Sequence, residues 1–170
     1  LPLLPAQILL TNFLTDLPAL SIASDQVDPE LLVRPRKWDI SLIRRFMVVF
    51  GFESSLFDFL TFGLLYLFYH ASPEIFRTGW FLESVITEIL ILFVIRTRRF
   101  FYNSAPGITL ALVSLFVIVF VIWLPFSPFA ESIGIAPLKP LLVLIIAGVA
   151  LLYALVSELT KNILFRKLGY

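Results

Sequence analysis

Five long apolar stretches constrain the fold of this chain more than any other feature of its sequence. Their approximate bounds are residues 3–24, 46–69, 80–95, 108–124 and 138–159. A helix that crosses the hydrocarbon of a bilayer needs about 17–25 such residues, and only the third stretch is short for a span. The runs are continuous rather than alternating, which is not typical of membrane β-strands. The sequence therefore predicts an all-α integral membrane protein, a bundle of about five transmembrane helices.

The composition excludes other classes of protein. Hydrophobic residues make up 59% of the 170 residues and charged residues 15%. A soluble domain is typically about 45–50% apolar and about 25% charged. The net charge of +1 gives no basic surface for a nucleic acid, so the expected surroundings are a lipid bilayer and no nucleic acid is expected as a partner. Without cysteine the chain has neither a disulfide framework nor a thiolate metal site.

The basic residues lie almost entirely on one side of this arrangement. Of the 13 Lys and Arg residues, 11 follow the first, third or fifth span, and only Arg77 and Lys139 follow the second or fourth. The positive-inside rule then places the 25–45 loop, the 96–105 loop and the C-terminus in the cytoplasm. We therefore expect a multi-pass protein of the plasma or inner cell membrane with a cytoplasmic C-terminus.

The first residues, LPLLPAQ, carry neither a basic region nor a small-residue cleavage site, so they are not predicted to be a signal peptide. Five spans with a cytoplasmic C-terminus put Leu1 outside the cell. An exported N-terminus without a signal favours a longer protein in which other spans come first.

Several ionisable residues fall within or near the spans. A charge at the bilayer centre costs about 2.5–3.5 kcal/mol, so such a residue usually faces the bundle interior or marks an ion pathway. Glu83 and Glu158 lie near predicted span ends, where a long side chain can reach the surface. Asp58 belongs to a polar stripe on the second helix, for which hydrogen bonding between helices and an ion route are both open. The full set is Asp16, Glu53, Asp58, Glu83, Glu88 and Glu158.

The stretch TNFLTDLPAL gathers oxygen ligands at one point of the first span. Asn12 and Asp16 are four residues apart and share a helix face, with Thr15 beside them. Pro18 lacks an N–H, so we expect the helix to be kinked or unwound near it, with backbone carbonyls freed for an ion. Carboxylate, amide and hydroxyl oxygens suit Mg²⁺ or Ca²⁺. Glu88 could supply a second carboxylate, and the alternative is a kinked helix with a purely structural Asp16.

These residues resemble a known family. NFLTDLPAL is similar to the sixth transmembrane helix of P-type cation-transporting ATPases, and RPRKWD with IRRFM to the loop and helix that follow. SSLFDFLTF, FVIRT and LPFSP resemble the magnesium-transporting subclass most, whereas the Thr of NFLTD is nearer to calcium pumps. The resemblance covers essentially the whole chain and implies the sixth to tenth helices of a pump, a C-terminal transmembrane domain over residues 1–170.

The resemblance also implies an activity and a site. It indicates the membrane part of an ATP-driven pump that moves Mg²⁺ or another divalent cation, with Asn12, Thr15, Asp16 and Glu88 as metal ligands. The motifs DKTGT and TGE, which P-type pumps need for phosphoryl transfer, do not occur in these residues. We therefore expect no catalytic or ATP-binding residue here, and expect the N-terminal helices and cytoplasmic domains of the same pump as partners.

A second hypothesis stays open: a non-catalytic membrane scaffold or regulatory subunit that keeps the pump fold. The reading frame upstream of Leu1 separates the two, because a DKTGT motif there would exclude the scaffold.

The charge asymmetry makes a testable prediction of topology. Single cysteines at Arg36 and Arg98 should be labelled from the cytoplasmic side, and single cysteines at Pro73 and Ser132 from the other side. An impermeant thiol reagent applied to intact cells and to inverted vesicles measures this, and the chain has no native cysteine to interfere. Labelling of positions 73 and 98 from the same side would contradict the five-span arrangement.

Overall fold

The computed structural model describes residues 2–26 and 40–168, and within them helices are the only regular secondary structure. Single helical turns extend the first, second and fourth helices to Ser24, Phe68 and Phe126. All five helices are long and apolar enough to cross a membrane, which confirms the predicted all-α bundle. The helices are α1 (Pro5–Ser21), α2 (Ile40–Gly63), α3 (Pro73–Ile95), α4 (Ile108–Trp123) and α5 (Pro140–Leu168).

Three helices are longer than the apolar stretches that predicted them. α2 begins at Ile40, six residues before its predicted start and within the predicted 25–45 loop. α3 begins at Pro73, seven residues before the predicted start, because Ser72 caps it by accepting a hydrogen bond from the Ile75 N–H at 3.4 Å. Proline is also favoured at the first position of a helix. α5 continues to Leu168, beyond the predicted end at 159. Most of the predicted 25–45 loop, with Arg36 and the RPRKWD motif, lies outside the described residues.

α1 remains α-helical through Pro18. The helix was predicted to be kinked or unwound near Pro18, and the prediction of an unwound turn is therefore wrong. Pro18 removes only the hydrogen bond that its missing N–H would have given to the carbonyl of Leu14. One turn earlier, the Thr15 hydroxyl donates to the carbonyl oxygens of Thr11 at 3.1 Å and Asn12 at 3.4 Å. The Thr11 and Asn12 carbonyls thus have an additional donor, and Leu14 has the carbonyl that Pro18 deprives of its helical hydrogen bond.

α3 lies at the centre of the bundle and packs against all four other helices. Its residues Phe81, Leu82 and Val85 are completely buried. α1 packs against α3 and α4, and α2 packs against α3 and α5. Gly79 lets α3 approach the end of α2 closely, because a Cβ there would lie 3.0 Å from the Leu65 side chain. α3 is therefore the helix of the described bundle that contacts all the others.

Buried polar side chains connect the helices at the end of the bundle where α3 begins. The Gln7 amide accepts from the Leu4 N–H at 3.0 Å and donates to the Gly134 carbonyl at 2.8 Å. The Thr78 hydroxyl accepts a 2.8 Å hydrogen bond from the Ala136 N–H. These bonds attach α1 and α3 to the segment before α5, so that end of the bundle is fixed by polar contacts as well as by packing.

An ion pair performs the same task at the opposite end. Asp25, just after α1, accepts from Arg96 at 2.8 Å and from the Gly107 N–H at 2.6 Å, and Arg96 also donates to the Ser104 carbonyl. Burial alone would raise the pKa of Asp25, but the hydrogen bonds from Gly107 and Arg96 outweigh it and hold this pKa below its usual value. The end of α1 is thereby attached to the end of α3 and the start of α4.

Lys161 of α5 is fully buried against the end of α3. Its ammonium group donates to the carbonyls of Val94 at 2.9 Å and Arg99 at 2.8 Å, and pairs with Glu158 at 2.8 Å. The Val94 carbonyl at the end of α3 and the Arg99 carbonyl after it have no partner within a helix. Lys161 supplies their hydrogen-bond donor. Glu158 is therefore half of a buried ion pair.

The Asp25–Arg96 pair makes a prediction of stability. Arg96→Ala should destabilise the folded protein by about 3–5 kcal/mol, because it leaves the Asp25 carboxylate buried with an incomplete set of partners. The temperature midpoint of unfolding in detergent measures the effect. Arg166→Ala, which removes the same charge from an exposed position of α5, is the control and should change the midpoint little. Equal midpoints for the two variants would contradict a structural role for the pair.

Candidate functional site

The predicted ligands of the first span lie on two sides of α1. The Thr15 side chain is buried against the bundle, whereas Asn12 and Asp16 are exposed on the surface of the described bundle. One helical turn separates Asn12 from Asp16, so their oxygens follow one another along the same face. α1 therefore presents an amide and a carboxylate outward.

Glu88 of α3 lies at the same level. Its carboxyl interacts with the Thr15 side chain and is close enough to Asp16 for the two carboxyl groups to interact electrostatically. Like Asp16, Glu88 is exposed on the surface of the described bundle. The contact between α1 and α3 thus brings together Thr15, Asp16 and Glu88, and Asn12 lies one turn away along α1.

This group consists of hard oxygen ligands, which suit Mg²⁺ and Ca²⁺ better than zinc or copper. Mg²⁺ is typically held by one or two protein carboxylates and keeps several other oxygen ligands. Within residues 2–26 and 40–168, no three His, Cys, Asp or Glu side chains are placed to hold a metal ion. The four residues can therefore provide part of a divalent-cation site, and the remaining ligands have to come from elsewhere.

A second carboxyl pair lies between α2 and α3. Asp58 accepts a 3.0 Å hydrogen bond from the Trp80 indole N–H, and its side chain also interacts with that of Glu83. Glu83 lies ten residues into α3 and is only 2% exposed. The prediction that it lies near a span end and can reach the membrane surface is therefore wrong. Of the two predicted roles of Asp58, hydrogen bonding between helices is therefore present, whereas its partner Glu83 was not predicted, because the depth of Glu83 depends on where α3 begins.

The polar contacts continue from this pair toward α5. Glu53 of α2 accepts a hydrogen bond from the Ser157 hydroxyl, and Tyr153 forms side-chain hydrogen bonds with Ser157 and Ser54. Phe57 packs edge-on against the Tyr153 ring, with centroids 5.2 Å apart. Tyr153 and Ser157 are four residues apart on one face of α5, and this spacing was the only sequence signal for their role.

Comparison with known proteins connects the first site to a family. Residues 1–163 match the family described as "Cation transporting ATPase, C-terminus". The chain belongs to this family.

Relatives of this cation-transporting ATPase segment have a common name. The chain is 37% identical over 179 residues to "Magnesium-transporting ATPase, P-type 1" of Escherichia coli strain K12. The match covers 100% of the chain and 20% of the relative. Proteins of that name from Salmonella typhimurium are 37% identical (strain 14028s, 100% and 19% covered) and 32% identical (strain LT2, 99% and 19%). The segment thus spans about a fifth of the length of these relatives. These matches confirm the resemblance to magnesium-transporting P-type pumps.

The meeting of α1 and α3 makes a prediction of proximity. In the full-length protein, the paired substitutions Asp16→Cys and Glu88→Cys should form a disulfide under mild oxidation, because the contact between α1 and α3 brings the two carboxyl groups within electrostatic range of each other. Asp16→Cys with Glu74→Cys is the control, since Glu74 is 14 residues from Glu88, about 21 Å along α3. A mobility shift after proteolytic cleavage between the two positions measures the disulfide. Equal cross-linking of both pairs would contradict the described contact.

Proposed function

We propose that this chain is the C-terminal membrane part of an ATP-driven P-type pump that transports Mg²⁺ or another divalent cation. Asn12, Thr15, Asp16 and Glu88 supply its share of the ion-binding site. The observation that carries the proposal is the meeting of Asp16 and Glu88, two carboxyl groups on two membrane-spanning helices.

The electrostatics of this pair favour a cation. Carboxylates within a membrane are costly unless their charge is compensated. In the described part of the chain, the ion pairs are Arg96–Asp25 and Lys161–Glu158, and neither involves Asp16 or Glu88. A divalent cation between the two carboxyl groups would balance two negative charges at once. The Thr15 hydroxyl and the Asn12 amide then add neutral oxygens that replace part of the hydration shell of the ion.

Because Asp16 and Glu88 are exposed on the described bundle, ligands from other parts of the pump can reach an ion bound between them. Asp16, Glu88 and Asn12 lie on the surface of the described bundle, where another helix can pack against them. We propose that N-terminal helices of the same pump cover this surface and complete the site. Its cytoplasmic domains would bind and hydrolyse ATP, and the phosphorylation and nucleotide-binding residues would lie there.

The names of the relatives support Mg²⁺ as the transported ion. The ligand chemistry agrees with this choice and does not by itself separate Mg²⁺ from Ca²⁺. The location that follows is a cell membrane of the plasma or inner type. The basic residues at the start of the 96–105 loop and in the last turns of α5 support a cytoplasmic C-terminus.

Substitution of the ligands in the full-length pump tests this proposal. Asp16→Asn keeps the shape of the side chain but removes its charge. Loss of a residue that only hydrogen-bonds to a metal ligand typically lowers metal affinity about 10–100-fold. Loss of the ligand charge itself should therefore lower the apparent Mg²⁺ affinity by more than that. Glu88→Gln should weaken binding less, and Asn12→Ala least, because it removes a neutral ligand. Mg²⁺-dependent phosphorylation and uptake into membrane vesicles measure the order.

Ser114→Ala is the control for these variants. Ser114 is buried in α4, its hydroxyl has no partner in the described structure, and its loss should leave transport nearly unchanged. Wild-type affinity in Asp16→Asn would overturn the assignment of the site. A full-length protein that is never phosphorylated by ATP would favour the scaffold hypothesis instead.

A further inference from the structure

The carboxyl pair between α2 and α3 is separate from the proposed cation site and has a different environment. Glu83 is almost completely enclosed, and its Oε2 atom has no hydrogen-bond partner in the described structure. Its side chain interacts with that of Asp58, whose Oδ1 accepts a hydrogen bond from the Trp80 indole N–H at 3.0 Å. One carboxyl oxygen thus remains buried and unpaired beside a second carboxyl group.

Two neighbouring carboxyl groups enclosed away from water need a proton between them, because two carboxylates contain only acceptors and repel each other. Trp80 determines which of the two is the acceptor. An indole N–H is a donor only, and its bond to Asp58 favours the ionised form of that residue. Glu83, which receives no such bond, is then the group that carries the hydrogen.

We propose that Asp58 and Glu83 bind one proton between them, with Glu83 as a neutral carboxylic acid that donates to the carboxylate of Asp58. The pair is thus a proton-binding site within the membrane-spanning part of the chain. It does not depend on which ion the pump moves, or on whether the chain belongs to an active pump.

The surroundings exclude the other ways of compensating two carboxylates. Among the described residues, the ionisable groups that interact with Glu83 are Asp58 from α2 and Tyr153 from α5, and Glu53 of α2 interacts with Tyr153. None of these carries a positive charge. In the described ranges, neither Asp58 nor Glu83 belongs to an ion pair.

A metal ion is not a substitute for the proton here. Glu53, Asp58 and Glu83 do not form a group of metal ligands. In the described part of the chain, no three His, Cys, Asp or Glu side chains are placed to hold a metal ion together. Glu53 instead accepts from Ser157 of α5. The Thr61 hydroxyl, buried one turn beyond Asp58, is a further polar group without a partner in the described structure. Glu83 is enclosed within the described bundle, so neither water nor another helix can complete the coordination of a cation there, as they can at the exposed Asp16 and Glu88.

Infrared spectroscopy of the full-length protein in lipid bilayers tests the proposal directly. At neutral pH the wild type should show the C=O stretching band of a protonated carboxylic acid, sensitive to exchange into D₂O. Glu83→Gln should remove this contribution. Asp58→Asn should keep the band but shift it, because the acceptor changes from a carboxylate to an amide. Glu131→Gln, the same chemical change at an exposed position between α4 and α5, should leave the spectrum unchanged.

Identical spectra in this region for the wild type and Glu83→Gln would overturn the proposal. If Glu83→Gln does not fold, wild-type protein with ¹³C-glutamate replaces it. The acid band should then shift with labelled glutamate, and the absence of any protonated glutamate band would equally overturn the proposal. These outcomes are independent of the transport assays, so a failure here would leave the assignment of Asp16 and Glu88 untouched.

Discussion

The lack of water in the hydrocarbon of a membrane is the constraint on which this structure depends. A polar group there must find its partner inside the protein. α3 provides most of these partners because it touches every other helix. Thr78 contacts the segment before α5, Glu83 meets α2, Glu88 meets α1, and Arg96 pairs with the residue after α1. The residues that hold the bundle together therefore also bring its ionisable groups into pairs.

The two carboxyl pairs show how burial changes what such a pair can bind. Asp16 and Glu88 are exposed on the described bundle, so a cation with its own ligands can reach them. Asp58 and Glu83 lie between helices, and Glu83 is enclosed. A carboxylate brought into such a site has to be neutralised by a proton, a cation or a paired side chain. Similar chemical groups on one helix thus support a divalent-cation site in one place and a proton site in the other.

The sequence predicted the helices well and the contacts between them poorly. Long apolar runs have essentially one structure in a bilayer, so the five helices followed from their lengths. The grouping of Asn12, Thr15 and Asp16 followed from helical spacing. The depth of Glu83 did not, because a polar first turn with Glu74 concealed the start of α3. The bond between Trp80 and Asp58 depends on how α2 and α3 are aligned, and no local pattern contains that alignment.

The attachments of α1 bear on how a pump could use Asp16. Gln7 fixes one end of this helix to the segment before α5, and Asp25 fixes the other end to α3 and α4. Asp16 lies nine residues from each attachment, so it can move little relative to Glu88 without bending α1. An ion is released only if a second conformation binds it less tightly. Under the proposed function, this change in affinity has to come mainly from ligands outside the chain. Those ligands would approach and leave a pair of carboxyl groups that α1 and α3 hold nearly fixed.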